Sequence, residues 1–330
     1  MSRKLLPYFF IIFLFSCHRK EIHTSLSQPL DSSILKIIET KKGVELIILG
    51  TLQDGGLPHI GCKKSCCKEY FQNPNPSHKV VSLGIIDHDH HKKYILEASP
   101  DFTEQIDYLN AQSQDPDLNA IPDGIFVSHA HIGHYTGLMY LGKEAKNADQ
   151  AMVYCMPKMQ SFLTTNGPWS QLVLNKNIVF TPLRKDTPVH LSDHLKVTPF
   201  LVPHRDEYSE TIGFKIEGPQ KSILFIPDID KWNKWDRSII EEIRKVDLAF
   251  IDGTFYDGVE INYRNIAEIP HPFIIESMEL FKDLDETEKS KIHFIHLNHT
   301  NPLNIKGSFQ YKATLKRGFK IAEYGARVAI

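Results

Sequence analysis

The sequence has little net charge, few cysteines and no apolar run long enough to span a bilayer. Its 38 basic and 40 acidic side chains leave a formal charge of −2, which gives no broad attraction to a polyanion, so no nucleic-acid partner is expected. Five cysteines are too few for a scaffold built on disulfides. The absence of repeats or low-complexity tracts after residue 44 excludes solenoids and disordered chains. What remains, with 42% hydrophobic residues, is typical of a globular α/β protein.

The N-terminus predicts a targeting segment. An almost wholly apolar run from Leu5 to Ser16 follows two basic residues, and it is shorter than the roughly 20 residues that cross a bilayer. Leu14-Phe15-Ser16-Cys17 resembles a bacterial lipobox, in which the cysteine is acylated; the alternative is a plain secretory signal with a chance cysteine. We expect an extracytoplasmic domain that lipid on Cys17 anchors to a bacterial cell membrane. The predicted parts are a lipoprotein signal peptide over 1–17, a tether over 18–43 and a folded domain over 44–330.

From Val44 onward, short β-rich runs bounded by turn residues alternate with helix-like segments. Strands in clusters with helices between them indicate two sheets packed on each other with helices outside, a four-layer αββα sandwich. The predicted strands are Val44–Leu49, Val80–Ile86, Tyr94–Glu97, Gly124–Val127, Ala151–Cys155, Ile178–Pro182, Leu195–Val202, Ile212–Ile216, Ser222–Ile226, Leu248–Ile251 and His293–His296. The predicted helices lie around Asp101–Gln112, Gly137–Lys146, Pro157–Thr164, Arg237–Lys245, Ile274–Phe281 and Asn304–Lys316.

Histidine is abundant, with 17 residues, and three of them stand together after one predicted strand. His129, His131 and His134 follow an apolar strand and precede a helix that we expect to begin near Thr136. Alternate residues 129 and 131 project to the same side of an extended segment, and the turn into the helix brings His134 to the same pocket. Imidazole is the commonest metal ligand, so this cluster predicts a metal site; solvent-exposed loop histidines are the alternative. His204, Asp228 and His296 each end a further predicted strand.

The order HxHxxH, His, Asp, His resembles the metallo-β-lactamase superfamily, and most of 44–330 is similar to the pyrroloquinoline quinone biosynthesis protein B family. Phosphonate-pathway cyclic phosphodiesterases share several of the same segments. The matching segments include Leu49-Gly50-Thr51, Asp54-Gly55-Gly56-Leu57-Pro58, Glu97-Ala98-Ser99-Pro100-Asp101, His134-Tyr135-Thr136-Gly137-Leu138, Thr164-Thr165-Asn166-Gly167, Ile251-Asp252-Gly253-Thr254 and Ile295-His296-Leu297-Asn298-His299-Thr300-Asn301-Pro302.

The resemblance implies a metal centre and assigns its ligands. His129, His131 and His204 would form a first site, and Asp228 would bridge to a second site of His134 and His296. One or two catalytic zinc ions are expected, with iron or manganese as alternatives. The superfamily pattern is HxHxDH, and Gly133 stands where its aspartate belongs, so the second site has lost an anionic ligand. Conversely, the quinone-biosynthesis proteins typically lack the two histidines that stand here at 129 and 131.

A cysteine-rich loop and two further histidines complete the candidate sites. Cys62, Cys66 and Cys67 are expected to hold a structural zinc with a histidine such as His59, as related proteins do with CxCxxC spacing; a disulfide is the alternative. Either His296 or His299 could be the last metal ligand, and the strand end favours His296; His299 would then be a catalytic residue that contacts a metal ligand or faces the substrate. His271 resembles a histidine found before a helix in related enzymes and is expected to act as general acid near the leaving group; a surface histidine is the alternative.

These residues predict a metal-dependent hydrolase that attacks an ester, lactone or phosphodiester bond in a small-molecule substrate with a metal-bound hydroxide. Two alternatives stay open. One is an iron-dependent, oxygen-activating protein like those of quinone biosynthesis. The other is a non-catalytic binding protein of this fold. The sequence leaves the oligomeric state open.

Overall fold

The structure is a computed structural model that describes residues 41–113, 121–261 and 269–330. The predicted signal peptide, the lipidation site Cys17 and nearly all of the predicted tether lie outside these ranges. No helix in the described ranges is both long enough and apolar enough to cross a membrane.

Fourteen strands are described, in two sheets of seven. They are β1 (Val44–Gly50), β2 (Ser82–Asp87), β3 (Lys92–Leu96), β4 (Gly124–Phe126), β5 (Ala151–Cys155), β6 (Ile178–Pro182), β7 (Val189–His190), β8 (Lys196–Leu201), β9 (Ile212–Glu217), β10 (Ser222–Ile226), β11 (Leu248–Asp252), β12 (Ile292–Ile295), β13 (Lys320–Ile321) and β14 (Arg327–Ala329). The order is β14-β1-β2-β3-β4-β5-β6 in the first sheet and β13-β12-β11-β10-β9-β8-β7 in the second.

Helices connect and cover the strands. The α-helices described are α1 (Ser65–Gln72), α2 (Phe102–Gln112), α3 (Ile132–Tyr135), α4 (Pro157–Thr165), α5 (Trp169–Leu174), α6 (Ile239–Arg244), α7 (Ile274–Leu280), α8 (Glu286–Ser290) and α9 (Phe309–Lys316). Short 3-10 helices occupy Thr136–Leu141, Trp232–Lys234, Val259–Ile261 and Pro302–Asn304.

Three buried apolar clusters show how the layers pack. Alternate residues of β1 point to opposite faces of the first sheet: Leu46 and Ile48 share a cluster with Phe214 and Phe225 of the second sheet, which is the core between the sheets. On the other face, Ile47 joins a cluster with residues of α2 and α4. A third cluster joins the outer face of the second sheet to α6 and α7. The expected four-layer αββα sandwich is therefore confirmed.

The parallel strands bring their carboxyl ends to a common edge. In the first sheet β3, β4, β5 and β6 run parallel, and in the second β10, β11, β12 and β13 do. Ligands in such sheets bind outside the carboxyl ends of the strands. This edge is where the candidate site residues lie.

The predicted strands are all present with small shifts in their ends, but several other predictions were wrong. The two- or three-residue strands β7, β13 and β14 were missed, because so few residues give no periodic signal. The helix expected near Thr136 begins at Ile132 as α3, and a 3-10 helix that stops at Leu141 replaces the predicted helix to Lys146. The helix expected from Asn304 begins only at Phe309, because Gly307 has a φ of 89° and interrupts it.

Candidate metal centre

Strand ends position the six residues that the resemblance assigned to metal. His129 and His131 follow β4, and α3 begins directly after His131, so His134 turns back toward them; its backbone N–H donates to the carbonyl oxygen of His131 at 2.9 Å. His204 follows β8, Asp228 follows β10 and His296 directly follows β12. His296 has a φ of 64°, a left-handed backbone that is costly for a histidine and is typical of functional sites.

The first group consists of His129, His131, His204 and Asp228, whose ligand atoms all lie within 4.8 Å of one another. Asp228 Oδ2 is 3.2 Å from His204 Nε2 and 3.4 Å from His129 Nε2. His204 Nε2 is 3.3 Å from His131 Nδ1. Nitrogen ligands about 2.0–2.1 Å from a tetrahedral zinc are separated by roughly 3.3–3.4 Å, so the spacing fits one ion.

The second group consists of Asp54, His134 and His296. Asp54 Oδ1 is 3.2 Å from His134 Nε2 and 3.4 Å from His296 Nε2. Asp228 Oδ2 lies 3.9 Å from His134 Nε2 and so stands between the two groups. The sequence did not assign Asp54 as a ligand; it stood only in the segment Asp54-Gly55-Gly56-Leu57-Pro58, which matches the quinone-biosynthesis family.

In four of these histidines, the ring nitrogen that points away from the two donor groups has a polar partner. Such partners fix the tautomer and ring orientation of a metal-binding histidine and leave its other nitrogen available. The pairs are Ser128 Oγ with His129 Nδ1 (2.9 Å), Glu97 Oε2 with His134 Nδ1 (3.4 Å), Asp230 Oδ1 with His204 Nδ1 (3.2 Å) and Thr254 Oγ1 with His296 Nδ1 (2.9 Å).

Buried ring nitrogens without hydrogen bonds fit a centre that receives cations. The Nε2 atoms of His129 and His134 are buried and make no hydrogen bond within the described residues. Burial opposes ionisation of Asp228, yet His204 and His271 hold its pKa well below the usual value. Burial likewise disfavours a charged His204, but Asp228 raises its pKa to about 9. The buried carboxylates and imidazoles of the centre thus stabilise one another, and metal ions bound between them would take the place of the protons on the rings.

His271 lies beside this centre rather than on the surface. Its Nδ1 is 2.9 Å from Asp252 Oδ2 and 3.1 Å from Asp228 Oδ1, and the residue is 9% exposed. Burial opposes protonation, but Asp252 and Asp228 hold the pKa of His271 well above its usual value. Asp252 ends β11 and also accepts a hydrogen bond from Thr254 Oγ1 at 2.7 Å. The two carboxylates therefore fix both the position and the proton of His271.

A separate group joins the three cysteines to His299. The sulfur of Cys66 is 3.9 Å from those of Cys62 and Cys67, and all three cysteines are free. Sulfur ligands about 2.3 Å from a tetrahedral zinc are separated by roughly 3.8 Å, so the four side chains fit one ion. Cys66 and Cys67 belong to α1, so the expected loop is in part a helix.

His299 thus lies with the cysteines, whereas the sequence predicted that it contacts a ligand of the catalytic metal or faces the substrate. His59, the histidine suggested as the fourth ligand, stacks on it with ring centroids 4.2 Å apart. Burial, His59 and Lys64 lower the pKa of His299 to about 4, so its ring is neutral at physiological pH and able to ligate a metal.

One further cluster lies at the opposite edge of the first sheet. Asp87, His90 and His194 converge where β2 ends, and Ser192 Oγ donates to Asp87 Oδ2 at 2.9 Å. Asp87 is paired with Lys92, the first residue of β3, whereas the metal centre lies beyond the last residue of that strand. Asp87 is therefore a buried carboxylate among histidines that is remote from the candidate centre.

Comparison with known proteins agrees with this geometry. A family model described as a beta-lactamase superfamily domain matches residues 92–294. The chain is 23% identical over 312 residues to the coenzyme PQQ synthesis protein B of Klebsiella pneumoniae, covering 86% of this chain and 97% of that protein. It is 24% identical over 317 residues to the protein of the same name from Gluconacetobacter diazotrophicus, covering 86% and 99%.

Solved structures share the fold. The Zn²⁺-bound PqqB of Methylobacterium extorquens superposes with a TM-score of 0.71 at 20% identity, covering 87% of this chain and all of that one. A diphosphatase of the PhnP family gives a TM-score of 0.58 at 18% identity, covering 87% and 96%. With two sheets, flanking helices and histidines and aspartates at the strand ends, the chain belongs to the beta-lactamase superfamily and has its metallo-β-lactamase sandwich fold.

Proposed function

We propose that this protein is a metal-dependent hydrolase that cleaves an ester, lactone or phosphodiester bond of a small-molecule substrate. The observation that carries the proposal is the pair of adjacent donor groups on either side of Asp228 Oδ2, which lies within 3.9 Å of a ring nitrogen in each. A carboxylate between two cations is the usual arrangement in two-metal hydrolytic sites. Zinc is the proposed ion, because five imidazoles and two carboxylates suit it.

Ions bound here would lower the pKa of coordinated water enough to supply hydroxide near neutral pH. The chain's own residues hold and orient the centre, and one of them is placed to move a proton. His271 keeps a proton on Nδ1 against Asp252 and Asp228, at 2.9 and 3.1 Å, which leaves Nε2 as the atom that would donate to a leaving group. We therefore assign His271 as general acid.

Phosphodiesters are the first substrates to test, because the sequence shares several segments with phosphonate-pathway cyclic phosphodiesterases and a protein of the PhnP family has the same fold. The full chain should hydrolyse bis(p-nitrophenyl) phosphate or an ester or lactone panel, lose activity after chelation and regain it with zinc. Asp228→Asn should lower kcat/KM at least about 100-fold, since it removes the charge shared by both groups. The matched control Asp87→Asn changes a buried carboxylate at the opposite edge and should keep the parent rate.

If Asp228→Asn and Asp87→Asn both kept the parent rate, the hydrolase proposal would be contradicted. A folded, metal-loaded parent that hydrolyses none of these substrates but binds one of them would favour a binding protein of this fold. The assignment of His271 predicts that His271→Gln slows alkyl ester or alkyl phosphodiester cleavage by about 10²–10⁴-fold, while p-nitrophenyl esters, whose leaving group needs no proton, are much less affected.

The similarity to coenzyme PQQ synthesis proteins B over 86% of the chain supports a second candidate, a protein of quinone biosynthesis, for which we propose bound iron and oxygen activation. Histidine and carboxylate ligands also suit Fe²⁺. Under this alternative the purified chain would hold iron at the centre and consume oxygen with a quinone precursor. Zinc at the centre and unchanged oxygen would exclude it.

We also propose that the cysteine group binds a structural zinc through Cys62, Cys66, Cys67 and His299. The support is the 3.9 Å spacing of the sulfur atoms and the burial of Cys67 against Leu52 and Leu57. His299→Ala should weaken binding of one zinc ion and lower the melting temperature. Unchanged zinc binding in this variant would contradict the assignment.

Finally, we propose that the protein is a lipoprotein outside the cytoplasm. The support is the apolar segment before Cys17 and its lipobox-like sequence. Labelled fatty acid should be incorporated into the parent and not into Cys17→Ser, and the parent should fractionate with membranes. Equal labelling of the two would contradict acylation at this cysteine.

A further inference from the structure

Gly133 occupies the motif position at which the superfamily pattern has an aspartate, and it touches Asp54. A Cβ atom added to Gly133 would lie 2.2 Å from Asp54 Oδ1 and 2.7 Å from Asp54 Cα. Real Cβ atoms do not approach other atoms so closely, so any side chain at 133 would compete with Asp54 for the same space. The glycine is therefore complementary to the aspartate at 54.

Asp54 also faces the histidines that the missing aspartate would have accompanied. Its Oδ1 atom lies 3.2 Å from His134 Nε2 and 3.4 Å from His296 Nε2, and its side chain is 15% exposed. The second group thus has a carboxylate although its motif has none.

Backbone hydrogen bonds connect the Asp54 segment directly to the His296 segment. Leu52 forms a parallel bridge with Leu297, the Gln53 N–H donates to the Leu297 carbonyl at 2.9 Å, and the Leu297 N–H donates to the Thr51 carbonyl at 2.8 Å. These bonds fix Asp54 and His296 relative to each other, although the two residues are 242 positions apart in sequence. This is the rigid support that a metal ligand requires.

We infer that Asp54 is the carboxylate ligand of the second metal ion and takes the place of the aspartate that the HxHxDH motif lacks at Gly133. The inference rests on the metal centre of the proposed function, but not on the reaction that the centre performs. The second site is then His134, His296 and Asp54 with Asp228 shared, which restores two anionic oxygens to a site that the sequence motif leaves with one.

The test is a zinc titration of the metal-free full chain in the presence of a competing chelator, read as ions bound per chain and as the affinity of each. Asp54→Asn keeps the size of the side chain and removes its charge. We expect the affinity of one ion at the centre to fall at least about 100-fold, the upper end of the loss caused by removing a partner of a ligand. Asp54→Ala should behave alike.

Asp123→Asn is the control, since Asp123 pairs with Lys92 at the opposite edge of the sheet, where β3 begins. It should bind zinc as the parent does. Circular dichroism melts establish that each variant is folded, and the Co²⁺ spectrum of a substituted site reports a changed ligand set directly. Parent-like affinity and Co²⁺ spectrum in both Asp54 variants would overturn the inference and leave the hydrolase proposal intact. A parent that binds ions only at the cysteine group would overturn both.

Discussion

The contact between Gly133 and Asp54 makes Gly133→Ala an informative perturbation. Gly133 lies within α3, where alanine would ordinarily be better than glycine by about 1 kcal/mol. Here the added methyl group would meet Asp54 Oδ1 at 2.2 Å and Asp54 Cα at 2.7 Å. Because the second atom belongs to the backbone, the whole Asp54 segment must shift, and overpacking of this kind costs about 1–3 kcal/mol.

Two effects are expected, and they are measured separately. The helix gain of about 1 kcal/mol offsets part of the overpacking cost and leaves a net loss of about 0–2 kcal/mol. At roughly 2 °C per kcal/mol for a chain of more than 250 residues, the melting temperature of metal-free Gly133→Ala should fall by up to about 4 °C. In the parent, Asp54 Oδ1 lies 3.2 Å from His134 Nε2. Displacement of Asp54 should lower the affinity of one zinc ion at the centre by about 10–100-fold in zinc titrations.

Gly84→Ala is the matched control for overpacking alone. Its added methyl group would lie 2.7 Å from Leu109 Cδ1 and 2.9 Å from Leu49 Cδ1, within the apolar layer between the first sheet and α2. It should lower the melting temperature without changing zinc affinity. A Gly133→Ala variant with the parent's stability and zinc affinity would refute the reasoning, because Asp54 would then not depend on the empty space beside Gly133.

Three other perturbations have defined outcomes. Ser128→Ala removes the 2.9 Å hydrogen bond to His129 Nδ1, so zinc affinity at the centre should fall about 10–100-fold in a chelator titration, and an unchanged affinity would contradict the role of Ser128. Phe250→Ala, in the core between the sheets, should cost about 3–5 kcal/mol in urea unfolding; a loss below 1 kcal/mol would contradict this packing. Arg327 lowers the pKa of Glu45 against the effect of burial, so the pair stabilises the fold at neutral pH, and its contribution is lost as the pH falls from the usual 4.5 through the lowered pKa. Arg327→Ala should cost at most about 1 kcal/mol in urea unfolding at pH 7 and progressively less in acid, and a cost that does not change with pH would contradict this.

The fold class could be predicted because most strands are recognisable in the sequence as apolar runs bounded by turn residues. Strands buried on both faces, such as β1 and β10, need nearly continuous apolar sequence. The same property located part of the site: His129, His204 and Asp228 each follow such a run, so their position at a strand end could be inferred before their distances were known. The beta-lactamase superfamily membership predicted from these residues was confirmed.

Asp54 could not be predicted, because nothing local distinguishes it from other aspartates beside glycines in turns. Its role depends on the bridge between Leu52 and Leu297, which joins the first strand to one of the last. Glu97 and Thr254 were likewise unassigned, since a partner of a histidine carries no spacing rule. One indirect signal existed: a motif that lacks its carboxylate at Gly133 requires either a weaker site or a carboxylate from elsewhere.

The most direct test of the account is a crystal of the zinc-loaded full chain measured on both sides of the zinc absorption edge. Two anomalous peaks are expected at the centre, one among His129, His131, His204 and Asp228 and one among Asp54, His134, His296 and Asp228. A third peak is predicted among the cysteines and His299. A centre with no peak, or with a single ion that Asp54 does not contact, would contradict it.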